Sequence, residues 1–199
     1  VSGNGGVGLR SGNASTVTNC VASQNGAEGF RVENGGTISG CAALSNQGNG
    51  IVTGVACSVG GCTANLNGGV GIRLETEGMA FNNCASRNTL DGILATTSCM
   101  IRSNECVLNG FNGDGAGIHT TGPRNRIEGN NCVSADRGID VDNGGNFILA
   151  NTCSANAVNW DVVGGNNCLV IRGANAGVIL GISGGVSPGS ADPNANFTY

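Results

Sequence analysis

His119 is the only histidine in the chain; Asp140 follows it by one repeat length and Asp142 comes two residues later. An imidazole oriented by a carboxylate accepts a proton near neutral pH, so these three side chains read as an acid–base set. Arg137 and Asp136 lie just upstream, and a guanidinium there is suited to pairing with an anionic group. Asp140 with Asp142 or Asp114 offers hard oxygen ligands of the kind Ca2+ takes, and no other cofactor is expected. The catalytic candidates are therefore His119, Asp140, Asp142 and Arg137, with Asp114, Asp136 and Arg73 as candidates for holding substrate.

Bringing these residues together requires a frame, and the chain supplies one by repetition. TVTNCVASQNGAEGFRVENGG (16–36), TISGCAALSNQGNGIVTGVAC (37–57), SVGGCTANLNGGVGIRLETEG (58–78) and MAFNNCASRNTLDGILATTSC (79–99) align in a 21-residue register without a gap. The next unit, 100–124, carries four extra residues around GFNGDGAG, and two further units follow. Apolar columns run down the alignment: Val17, Ile38, Val59, Ala80, Ile101, Ile127, Ile148, and Phe30, Ile51, Ile72, Ile93, Ile118, Ile139. Paired columns stand two residues apart, the spacing that turns both side chains of a strand to one face. These columns predict the inward stacks of a coil.

Asn4, Asn25, Asn46, Asn67, Asn88 and Asn109 fall at one position, resumed by Asn156. Stacked about 4.8 Å apart, such side chains can pass amide hydrogen bonds from coil to coil. Gly8, Gly29, Gly50, Gly71, Gly92, Gly117 and Gly138 precede the inward apolar residue, which predicts a tight corner there. The residues between inward columns face solvent. One such column reads Arg10, Arg31, Val52, Arg73, Leu94, His119, Asp140, which sets His119 directly over Asp140 within hydrogen-bonding reach. The insertion Gly110 to Gly113 with Asp114 is expected to rise beside them as a lip.

Ten cysteines invite a zinc or disulfide reading, but no C-x-x-C is present and no histidine stands at ligand spacing. Cys20, Cys41 and Cys62 share one inward column and Cys106, Cys132 and Cys153 another. The expectation is stacked free thiols acting as small hydrophobes, with the out-of-phase Cys84 exposed. A net charge of −4, with nine Arg scattered and no Lys, excludes a nucleic-acid footprint and a polybasic membrane segment. No apolar run is long enough to insert in a membrane. Only seven aromatics are present, which favours a narrow stacked core over a wide one.

The motif N-C-x-A-S-x-N followed by G-[IF]-x-[VL], as in NCVASQNGAEGFRV, resembles the right-handed parallel β-helix repeats of the pectate-lyase-like superfamily over roughly residues 1–170. The resemblance implies an all-β fold, a single-stranded solenoid of about eight coils of about 21 residues. It also implies a secreted or cell-surface protein that engages polysaccharide, with acids, bases and sometimes Ca2+ on an outer sheet along which a sugar chain lies. Arg137 would then face a uronate carboxylate. The chain departs from the polygalacturonase set, of which NTLDG (88–92) is a partial echo. It also has no Lys for a lyase that needs one, although an Arg could act in that role, and no Asp-Pro-His-Asp of the alginate epimerases.

The reading is a single β-helix domain over 1–199, with repeat coils over 1–170 and a last coil and tail over 171–199 folding back through Phe197 and Tyr199. Val1 falls in the column of Ala22, mid-coil, which predicts a further N-terminal region, or a homo-oligomeric, end-to-end contact there. Two functions stay open. One is a polysaccharide lyase or glycoside hydrolase centred on His119. The other is a non-enzymatic structural or adhesive solenoid, or a piece of a larger fibre protein, for which Arg31 with Glu33 and Arg73 with Glu75 are the ordinary charge pairs of a solvated face.

Overall fold

The computed structural model describes residues 1–111, 113–172, 178–181 and 194–198. Asn112 of the expected lip, most of the last coil and tail, and Tyr199 lie outside them. Every regular element among the described residues is a strand, and no helix there could cross a membrane. The strands form three sheets of nine, eight and nine strands, parallel throughout, each coil giving one strand to each sheet in turn. The first sheet runs from Leu9–Ser11 through Ile93–Ala95, Ala116–Thr120 and Arg137–Val141 to Val158–Val162 and Val178–Gly181.

The apolar columns become the core. Phe30, Ile51, Ile72, Ile93, Ile118, Ile139 and then Trp160 stack in register and are fully buried. Each such aliphatic side chain contributes roughly 1.5–3 kcal/mol through burial. Ala22, Ala43, Ala64 and Ala85 give way in their column to Cys106, Cys132 and Cys153, and all ten thiols are free, with Cys84 and Cys20 partly exposed. A column of small residues keeps the coil thin.

All three corners are built alike. A residue with left-handed backbone comes first, as at Asn19, Gln24 and Ala56, and the next side chain points inward to bond the coil beside it. The expected asparagine ladder is one of these corners: Asn46 Nδ2 donates to Asn67 Oδ1 at 3.0 Å, and Asn67 Nδ2 to Asn88 Oδ1 at 3.0 Å. A second ladder begins with sulfur and ends with amides. Cys20 N donates to Cys41 Sγ at 3.4 Å and Cys41 N to Cys62 Sγ at 3.5 Å. Cys62 N then donates to Asn83 Oδ1 at 2.8 Å and Asn83 N to Asn104 Oδ1 at 3.0 Å. The third corner repeats the change: Gly36 N donates to Cys57 Sγ, while later Cys99 N donates to Asn125 Oδ1 and Asn125 N to Asn146 Oδ1. These cysteines thus accept hydrogen bonds as well as filling space.

The glycine column has a different cause from the one its position suggested. None of Gly8, Gly29, Gly50, Gly71, Gly92, Gly117 or Gly138 has left-handed backbone. A Cβ on Gly71 would instead lie 2.6 Å from Asn88 Nδ2 and 2.6 Å from the Gly92 carbonyl oxygen of the next coil. The left-handed corner positions belong mostly to non-glycine residues, each at a cost of about 1–2 kcal/mol. The ladder bonds offset that cost.

Two irregularities bear on the site. In the first sheet, Ala116–Thr120, Arg137–Val141 and Val158–Val162 have five residues where earlier coils have three. The asparagine ladder also lapses at Ala135, whose N–H donates to Asn156 Oδ1 at 2.8 Å. At the far end the tail strand Asn196–Thr198 inserts between Thr152–Ser154 and Val170–Arg172, and Asn196 extends the second ladder by accepting from Asn151 N at 2.9 Å.

Candidate active site

On the outer face of the first sheet, Leu94, His119, Asp140 and Asp161 stand one above another in register. The lengthened strand Arg137–Val141 carries Arg137 at its first position and releases Asp142 just after its last. Leu90 and Asp91 enter from the turn before Ile93–Ala95, and Asp114 from the insertion. Together these, Leu94 excepted, line a cleft of about 440 Å3 that Val163 also borders.

His119 is directly over Asp140, but its hydrogen bonds go elsewhere. Nε2 donates to Asp142 Oδ2 at 3.1 Å, and Nδ1 faces Asp91 Oδ2 at 3.4 Å. Asp91 is itself fixed, because its Oδ1 accepts the Ala116 N–H at 2.8 Å. The expected His119–Asp140 hydrogen bond is thus replaced by a diagonal one to Asp142, two residues further along the next coil. Burial alone would lower the imidazole pKa, but the hydrogen bond and charge of Asp91, the bond to Asp142 and the charge of Asp140 together outweigh it and raise it to about 9. His119 is then a cation at neutral pH.

Arg137 is enclosed by carboxylates. Nη1 donates to Asp114 Oδ1 at 3.1 Å, Nε lies 3.2 Å from Asp161, and Nη1 lies 3.6 Å from Asp140 and 3.8 Å from Asp136. The Asp114 hydrogen bond, ahead of the other carboxylates, pushes its pKa up against a smaller opposing effect of burial. Asp140 sits between the two cations and is only 8% exposed. Burial raises its carboxyl to about 6, against the lowering effects of His119 and Arg137 and with the help of Asp161 and Asp142. A carboxyl so tuned can give or take a proton near neutral pH.

The site therefore gathers His119, Asp140, Asp142, Arg137, Asp114 and Asp136. It leaves out Arg73, which lies two coils away, pairs with Glu75 at 3.2 Å and borders a separate hollow with Glu28, Arg31 and Glu33. Two site residues were missed from sequence. Asp161 simply continues the outward column of His119 and Asp140 by one more repeat, while Asp91 lies in the NTLDG stretch and reaches His119 across a turn that no column describes. One oxygen each of Asp140 and Asp142 and one His119 nitrogen come within 4.8 Å of one another, a spacing that could hold a metal ion.

A stack of parallel coils closed by internal ladders defines a β-helix. The chain belongs to the right handed beta helix region family, whose model matches residues 1–158. Among solved structures it is similar to the A-module of mannuronan C-5 epimerase AlgE4 from Azotobacter vinelandii, with 17% identity, a TM-score of 0.65, and coverage of 76% of this chain and 49% of that one. It is also similar to pectate lyase Pel9A, with 19% identity, a TM-score of 0.63, and coverage of 73% and 46%. The A-module of AlgE6 from the same organism gives 15% identity, a TM-score of 0.59, and coverage of 96% and 56%. The chain thus spans about half the length of these structures, and at such identities the likeness is one of fold. No curated protein matches the chain in sequence.

Proposed function

We propose that the chain is a secreted or cell-surface β-helix that engages polysaccharide and performs acid–base chemistry on it in the cleft around His119. The observation that carries this reading is Asp140: a buried carboxyl raised to about 6, facing an open cleft on the outer sheet beside a second carboxyl, Asp142. Elsewhere the same face carries isolated pairs such as Arg10 with Glu33 and Arg73 with Glu75.

In this scheme Asp140 donates a proton to the leaving oxygen of a glycosidic bond, and Asp142 supplies the second carboxyl that such hydrolysis needs. His119, held as a cation between Asp91 and Asp142, fixes Asp142 and does not act as the base. Hydrolysis is favoured over elimination from a uronate. Elimination needs a cation against the substrate carboxylate, and because Arg137 already faces four carboxylates that cation would have to be a bound metal ion.

The test is a screen of neutral, amino and acidic polysaccharides for cleavage by wild type, His119→Ala and Asp140→Asn. Loss of the proton donor lowers turnover by about 10²–10⁴-fold. Cleavage by Asp140→Asn at the wild-type rate would remove Asp140 from the chemistry, and a wild type that neither cleaves nor binds any glycan would leave the non-enzymatic solenoid.

A further inference from the structure

Two of the internal ladders run into the same short strand, and that strand touches the back of the cleft. Asn46 and Asn67 donate to the next coil, but Asn156 turns to its own: its N and Nδ2 both donate to Asn159 Oδ1, at 3.2 and 2.9 Å. Asn159 stands opposite Gly138, in the place glycines hold in earlier coils, and it is buried. Its own Nδ2 donates to Thr198 Oγ1. Two residues earlier in the strand Asn196–Thr198, Asn196 Oδ1 accepts from N and Nδ2 of Asn151, both at 2.9 Å. Asn196 and Thr198 are fully buried, while Phe197 between them faces out. The strand is thus pinned by Asn196 and meets Asn159 with Thr198.

Asn159 belongs to Val158–Val162, which brings Asp161 to the cleft two residues later. On one side this strand pairs in register with Arg137–Val141. On the other the register shifts: Val158 faces Val178 and Trp160 faces Ile179, so Asn159 has no residue opposite it. A bulge of this kind leaves one residue out of the ladder and re-aims side chains near it. On that side Asn159 is held by its side chain, between Asn156 and Thr198.

We propose that Thr198 is a positioning residue of the cleft: through Asn159 it sets the bulged strand Val158–Val162 and so holds Asp161 against the Arg137 guanidinium. This rests on the reading of the cleft as the working site and extends that site to the inside of the coil. Among the carboxylates around Arg137, Asp114 stands on the insertion with its side chain 89% exposed, and an ion pair so exposed is a weak hold. Asp161 comes from a sheet strand, in register with Asp140, and lies 3.2 Å from Arg137 Nε. Without the Thr198 hydroxyl, the buried Asn159 amide keeps a donor with no acceptor, and turning to find one releases the two bonds from Asn156. Both responses loosen the bulge on which the place of Asp161 depends.

The experiment follows arginine Nε–H hydrogen exchange by NMR in the full chain, without glycan, for wild type, Thr198→Val and Thr198→Ser. Valine keeps the branched shape and removes the oxygen, whereas serine keeps the oxygen. Arg126, whose Nε donates to Glu128 at 2.7 Å on another sheet, is the internal control. Thr198→Val should speed exchange at Arg137 Nε about tenfold, with Arg126 unchanged and Thr198→Ser close to wild type. Equal acceleration at both arginines is general loosening and overturns the inference. So does a folded Thr198→Val in which Arg137 keeps its wild-type protection. Should Thr198→Val fail to fold, wild type carries the test. In sub-denaturing urea, Arg137 Nε–H and the Phe197 N–H, which donates to the Asn151 carbonyl, should open with one urea dependence, and separate dependences overturn the coupling. Because no glycan enters the assay, a wild type that cleaves no polysaccharide removes the glycan reading alone, and unchanged Arg137 protection removes the positioning role alone.

Discussion

Raising the pH from 6 to 8.5 should loosen the fold through His119. Its folded pKa of about 9 lies above the unfolded value of 6.5. The stability it contributes is therefore fully present below 6.5 and lost as pH rises through 9. At about 1.36 kcal/mol per pKa unit the whole effect is about 3 kcal/mol. The ring itself is mostly buried, but its partner Asp142 is half in water, which trims the figure to about 2 kcal/mol. Two neighbouring titrations fall largely outside the window, Asp140 overlapping only its lower edge. Asp140, raised from 3.8 to about 6, loses its contribution between those values. The buried thiols, such as Cys62 at about 11, favour the neutral folded state and reduce stability only above the unfolded thiol value of 9.0.

Urea unfolding followed through the buried Trp160 measures this directly. Wild type should lose about 1.5–2 kcal/mol more than His119→Gln between pH 6 and 8.5, because glutamine keeps a donor there but does not titrate. Subtracting the variant removes background shared by both chains. Parallel slopes for the two proteins would show that His119 is not held as a cation. That would also restore it as a candidate base.

The ladders and glycines make sharper structural predictions. Asn67→Ala should cost about 3 kcal/mol by urea unfolding, since it strips acceptors from both N and Nδ2 of Asn46 and a donor from the Ala43 carbonyl, all buried. Gly71→Ala should cost about 1–3 kcal/mol by the same assay, because neither the Asn88 amide nor the Gly92 carbonyl can move far, whereas Gly12→Ala, with nothing within 4 Å, should be close to neutral.

The fold was legible because a solenoid writes its contacts as columns. Ile93 over Ile118 over Ile139 is a statement about sequence spacing that the register repeats. The second and third ladders were hidden by a change of chemistry within one column. Cys41 and Cys62 read as apolar filling, yet their sulfurs accept the same backbone donors that Asn83 and Asn104 take one coil later. The site was half legible for a related reason. Register places His119 over Asp140, but the hydrogen bonds run diagonally to Asp142 and across a turn to Asp91, and column spacing carries no information about diagonals. Arg73 was drawn in because it shares a column with His119, though two coils of strand spacing put it out of reach.

A regular repeat cannot easily build such a site. Identical coils put like residues over like, and stacked carboxylates would repel along every column. The earlier coils avoid this with local Arg–Glu pairs. Asp140 and Asp161 come from one outward column, but crowding Asp91, Asp114 and Asp136 around them needs residues from the turns, and the irregular coils deliver Asp114 and Asp136. The insertion brings Asp114 to Arg137, and the ladder lapse at Ala135 coincides with a strand that starts early enough to hold Arg137 at its edge. Arg137 and His119 then keep the cluster folded by neutralising part of it, while burial, against the pull of these two cations, raises the Asp140 carboxyl. Regular coils give the site its rigidity, and the two places where the repeat breaks give it its chemistry.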